Sequence, residues 1–210
     1  MKKKIIIAVV LLGLIVIASA CYVIQQRKKS PVSYKPNIYL YPEVITKIDV
    51  DLSFPQGGEV IKSIPNYDKG WQVEVSPLGK IAAQYDYLFY ESKQPDHWQY
   101  KTGWVIEQSQ LKSFFESNMA AYGFNTNEIN DFIVYWIPRL KSAKYYQIFP
   151  QEEAIITELV RLNLSEKPDN LLRVFYRIKE IDREQKLEKH VMPTKLKREG
   201  FVVCEWGVLM

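Results

Sequence analysis

KIDVDLSF, residues 47–54, sets Ile48, Val50, Leu52 and Phe54 on one side of an extended chain and Lys47, Asp49, Asp51 and Ser53 on the other. Successive side chains of a strand point to opposite faces, so this period of two predicts a strand with one buried face. Pro55-Gln56-Gly57-Gly58 is a turn signal. Upstream, Asn37–Tyr41 is a short strand closed by Pro42. Downstream, Trp71, Val73 and Val75 alternate again, Pro77-Leu78-Gly79 turns the chain towards Lys80–Ala83 as a further short strand, and Tyr85–Tyr90 is an apolar run broken only by Asp86. Short strands at this spacing predict a meander or half sandwich.

Helical periodicity follows. Leu111, Phe114, Phe115, Met119 and Tyr122 recur at helical spacing, with Gly123 placed to cap the C-terminus. Asn125 with Glu128 three residues on resembles a capping box. Ile129, Phe132, Ile133, Trp136, Ile137 and Leu140 then form one apolar stripe, which Pro138 should end or kink. Together these predict a helical hairpin packed on the sheet. Strands return with Val160, Leu162 and Leu164, with Leu172, Val174, Tyr176 and Ile178 opposite Arg173, Phe175, Arg177 and Lys179, and with Phe201–Trp206. Residues Asp182–Gly200 are charged and loop-like. The predicted class is α+β: an N-terminal antiparallel β-rich part, a central helical hairpin and C-terminal strands.

The chain has 210 residues, and its formal charge of +4 is unevenly placed. Lys2, Lys3, Lys4, Arg27, Lys28 and Lys29 flank the uncharged stretch Ile5–Ile24, thirteen of whose twenty residues are Ile, Leu or Val. Taking those six from the 28 basic residues leaves 22 against 24 acidic ones, so the body is slightly acidic. That excludes a nucleic-acid footprint, which needs a basic domain, and suits a segment flanked by anionic headgroups. Twenty helical residues span roughly 30 Å, the thickness of a bilayer core. Residues 1–24 are therefore expected to be a transmembrane or signal helix with the domain on the extracytoplasmic side. Three fates compete: an uncleaved anchor, cleavage after Ala18-Ser19-Ala20, and lipidation of Cys21 in a lipobox-like Ala-Ser-Ala-Cys. Residues 25–36, QQRKKSPVSYKP, are expected to be a linker reaching roughly 40 Å. Residues 37–210 form one domain, with a subdivision weighed near residue 105.

KPNIYLYP (Lys35–Pro42), PNYDKGW (Pro65–Trp71), YDYLFYE (Tyr85–Glu91), EINDFIVYWIP (Glu128–Pro138) and GFVVCEWG (Gly200–Gly207) together resemble an uncharacterised family of exported bacterial proteins. The resemblance covers nearly everything after the linker. It implies export and a shared fold rather than a reaction. Members tend to carry a second Gly where Val208 stands in this chain.

Glu205 shares a strand face with Phe201 and Val203. A carboxylate on a buried face needs a partner or a raised pKa. Its functional role would be a general acid/base or a ligand-binding carboxylate; its structural role would be an ion pair with Arg173, Arg177 or Arg139. Glu91 ends the preceding apolar run in the same way, so Glu91 and Glu205 are the candidate pair for a hydrolase. Cys204 would need a nearby His and a positive environment to act as a nucleophile. The only two His, His97 and His190, lie in polar loop-like stretches, and no metal-ligand spacing, phosphate loop or nucleophile elbow is present in the sequence. No cofactor or metal is expected. Trp98, Tyr100, Trp104 and Trp206 are candidate ligand-stacking residues.

These features favour a membrane-tethered envelope module that binds a cell-wall polymer or an envelope protein without catalysis. The alternative is an envelope hydrolase using Glu91 and Glu205.

Overall fold

A computed structural model describes residues 32–210. The segment Ile5–Ile24 and Cys21 lie outside the described residues.

The strands are β1 (Val32–Tyr41), β2 (Thr46–Ser53), β3 (Glu59–Ile64), β4 (Trp71–Val75), β5 (Leu88–Lys93), β6 (Thr102–Glu107), β7 (Tyr145–Glu152), β8 (Arg161–Leu164), β9 (Asn170–Ile181), β10 (Glu188–Lys189) and β11 (Val202–Leu209). The helices are α1 (Leu111–Tyr122), α2 (Thr126–Trp136) and α3 (Glu153–Leu159). Eight strands form one sheet in the order β10-β6-β7-β9-β11-β1-β5-β3, and β4-β2-β8 form a second. Most neighbours are antiparallel, whereas β9/β11 and β10/β6 are parallel. Both sheets draw strands from either side of residue 105.

Two cores explain the layering. On one face of the large sheet, Phe115, Met119, Phe132 and Trp136 of α1 and α2 pack against Tyr146, Tyr176, Cys204 and Trp206. On the other face, Ile48, Val50 and Trp71 of the small sheet and Ile156 and Leu159 of α3 pack against Ile38, Leu88, Phe175 and Val203. The central strand β11 is buried along its whole length, and its residues divide by parity between the two cores. The architecture is therefore a three-layer α+β domain.

The predicted hairpin is present. Gly123 caps α1 at φ +116°, where a Cβ would be strained. Asn125 and Glu128 form a reciprocal capping box at the start of α2. Pro138 lies in the single 3₁₀ turn, Ile137–Arg139, that ends this helix.

Several expectations are corrected. Val32–Pro36 belong to β1 and not to a linker. A bulge between Ser33 and Asn37 accommodates Pro36, and the Lys35 ammonium sits among the rings of Tyr87, Phe89 and Tyr135 at 4.8, 5.2 and 4.9 Å. Only seven residues then separate Ile24 from Val32, a reach of roughly 25 Å instead of 40 Å. Lys80–Ala83 holds no strand: Ile81 makes isolated bridges to Val75 and Tyr85, a turn with Ala82 and Ala83 at positive φ follows, and the strand within Tyr85–Tyr90 begins only at Leu88. Four elements of more than two residues carried no readable period: β3, β6, β7 and the seven-residue α3. Six consecutive residues of β7 are buried, so alternation vanishes. Pro150 is tolerated there because β6 pairs only with Tyr145–Ile148.

Candidate functional site

Three polar clusters are built into this frame. The first lies between the large sheet and α3. Arg173 on β9 stands beside Glu205 on β11 in register, and its Nε donates to Glu205 Oε2 at 2.5 Å. Tyr90 of β5 donates to Glu205 Oε1 at 2.6 Å, and Arg173 Nη1 donates to Thr157 of α3 at 3.2 Å. Both charged side chains are essentially inaccessible, and Arg173 Nη2 has no hydrogen-bond partner among the described residues. Burial alone would lower the Arg173 pKa, but Glu205 and Tyr90 outweigh it and hold it above the ordinary value. Burial and then Glu205 push Tyr90 upward. This is a hydrogen-bonded structural ion pair at the centre of a packed layer.

The Glu91–Glu205 pairing is corrected by the same geometry. Tyr90 reaches Glu205, so Glu91, the next residue along β5, projects to the opposite face of the sheet. The sheet separates the two carboxylates, and Glu205 is fully buried in its layer. Neither two-carboxylate glycosidase arrangement can be assembled from them.

The second cluster pins Glu128. Arg198 grips its carboxylate with Nη2–Oε1 at 3.0 Å and Nη1–Oε2 at 3.2 Å, and Nη1 also lies 3.1 Å from the Cys204 sulfur. Burial and the Glu128 carboxylate push the Cys204 thiol up to about 12, despite Arg198. At neutral pH it stays a thiol, which is a poor nucleophile.

The third cluster surrounds His190. Its Nε2 lies 2.9 Å from Glu152 Oε1 and 3.3 Å from the Tyr122 hydroxyl, and its Nδ1 lies 3.2 Å from Thr102 Oγ1. Tyr122 donates to the same Glu152 oxygen at 3.0 Å. Burial, then Tyr176 and Glu152, raise the Tyr122 pKa. With the proton on Nε2, His190 donates to Glu152 and its Nδ1 accepts from Thr102. Thr102, His190 and Glu152 thus form one hydrogen-bonded chain that ends at a half-exposed carboxylate.

That carboxylate borders a cavity of about 450 Å³. β7 ends at Glu152 and the chain leaves the sheet into α3, whereas β9 runs on to Asn170. The notch so formed is lined by Glu152, Glu153 and Ala154 on one side and by Leu171–Val174 on the other, with Tyr122 at the α1 end. Pro193, Thr194 and Leu196 of the charged segment 182–200 complete the wall. That segment is a strap: Leu196 N–H donates to Tyr122 O at 2.9 Å, β10 pairs with β6, and Arg198 clamps Glu128.

The four aromatic candidates do not form one surface. Trp206 is fully buried against Phe132, and Trp98 is 5% exposed in the opposite core against Phe175. Trp104 packs half-buried on Phe114 and His190 in the helix layer. Tyr100 is 40% exposed, and its hydroxyl bonds Asp96 and Arg177. The convergence of His190, Glu152 and Tyr122 was not foreseen from the sequence. The one available signal was His190 as the sole His within a long charged segment.

Replacing Glu205 with Gln should destabilise the fold by about 3–5 kcal/mol, because a buried guanidinium loses its counter-charge. The double variant Arg173→Met/Glu205→Leu should recover most of that loss. Urea unfolding of the full-length protein in detergent reads both; a double variant as unstable as the single would show that the pair does more than neutralise itself. No family model, curated protein or solved structure matches this chain.

Proposed function

We propose that this chain is a membrane-tethered, extracytoplasmic binding module whose ligand site is the notch at the end of β7. The tether rests on the uncharged, bilayer-length stretch Ile5–Ile24 with its basic flanks. Among the described residues no helix is long and apolar enough to cross a membrane, so that stretch alone carries this part of the proposal. The ligand site rests on one observation: a cavity of ligand size with apolar walls and a small set of convergent polar groups at one end. Wall polymers and envelope proteins are the partners such a module would meet.

A second reading has its own support. The Thr102–His190–Glu152 chain ends at the notch, so general acid–base chemistry on a bound ligand would use His190 and Glu152. Binding is the better supported reading, because catalysis would also require a nucleophile or an activated water at the carboxylate.

Full-length protein in detergent micelles should melt higher with at least one of two ligand sets: wall glycan fragments, or peptides from envelope proteins. A ligand at a hundred times its Kd adds about 2.7 kcal/mol. Ala154→Trp, which fills the notch from an exposed helix position, should abolish the shift. A shift that survives in Ala154→Trp, or none with either set, would contradict the notch as the site. In cells, the protein should stay in the membrane pellet after an alkaline wash, and deletion of residues 5–24 should release it.

A further inference from the structure

The cavity meets β9 edge-on. Leu171 and Arg173 face the layer shared with α3, whereas Leu172 and Val174 face the helix layer, yet all four line the same space. Consecutive residues from opposite faces share one wall only where the cavity lies beside the strand, in the plane of the sheet. The β7–β9 ladder ends at Glu152↔Val174, and from Asn170 to Arg173 β9 is paired through β11 alone. A row of main-chain donors and acceptors is therefore left facing the notch. An uncovered strand edge is a template for another strand.

The surroundings select the kind of strand. Four uncovered residues correspond to roughly 13 Å of extended chain. Leu172 and Leu196 offer an apolar wall on the helix side, and the small Ala154 leaves room on the other. Glu152 and Glu153 stand where β7 stops, and the Arg173 guanidinium already faces Glu205 and Thr157. Two carboxylates thus stand at that end, against one buried guanidinium that is already paired with Glu205.

We infer that the notch takes an extended peptide of three or four residues, which pairs with the free edge of β9 in the line of β7 and directs a basic side chain towards Glu152 and Glu153. This rests on the notch being the ligand site. The peptide backbone supplies the affinity and the lysine or arginine the selection, as in other strand additions.

The test is calorimetric titration of full-length protein in detergent micelles with three pools of acetylated, amidated tetrapeptides. The first pool fixes Lys at the second position among Val, Ile and Thr, the second fixes Glu there, and the third is the Lys pool N-methylated at every amide. The Lys pool should bind, and both other pools should bind at least tenfold more weakly. Ala154→Trp, and independently Thr194→Lys on the exposed strap, should each weaken the Lys pool at least tenfold. No binding of the Lys pool at millimolar concentration, or equal binding of its N-methylated form, overturns the inference. If a glycan fragment binds in an Ala154→Trp-sensitive way while the Lys pool does not, the peptide inference falls and the notch remains the ligand site. If neither binds, both fall.

Discussion

β9 and β11 lie side by side with a packed layer on each face, so the buried residues along them must fit one of two cores. Arg173 and Glu205 are the charged residues buried along them, and the parallel register sets them directly opposite each other. Each charge is severely desolvated, and the other offsets that penalty only through close, hydrogen-bonded contact. The pair also gathers Tyr90 from β5 and Thr157 from α3. One interaction thus fixes the β9–β11 register, the seating of α3 and the packing of a strand two positions away in the sheet.

The seating of α3 has a direct consequence for the edge of β9. For Ile156 and Leu159 to join the small-sheet core, the chain must leave the plane of the large sheet at Glu152. β9 does not stop there, so the sheet has a gap between its layers. The strap over residues 182–200 borders that gap without pairing to β9, and it is held by β10, by His190 and by the Arg198–Glu128 clamp. Structural ion pairing and an open strand edge therefore arise from the same local route of the chain.

Much of the frame was legible in the sequence because its signals are local. The alternation in Lys47–Phe54, the Asn125–Glu128 capping box and Gly123 each declare an element from a few neighbouring residues. Elements buried on both faces lose their period, and so β7 was hidden; α3 was hidden by its seven-residue length. The start of β1 was hidden by Pro36 and polar neighbours, which only the bulge and the Lys35 ring contacts reconcile with a sheet. At the site, an ion pair for Glu205 could be anticipated from its strand face, with Arg173 among the partners. The His190–Glu152–Tyr122 cluster could not, because three segments meet there only once the strap has crossed back over the sheet.

The central claim is that β9 has a free edge at Asn170–Arg173. Amide hydrogen exchange of the full-length protein, resolved residue by residue, tests it most directly. The amides of Phe175–Ile178, flanked by β7 and β11, should all be protected. Across Leu171–Arg173, amides that donate to β11 should be protected and those that face the notch should exchange orders of magnitude faster. Uniform protection across Leu171–Ile178 would mean that the edge is already paired, and would contradict the account.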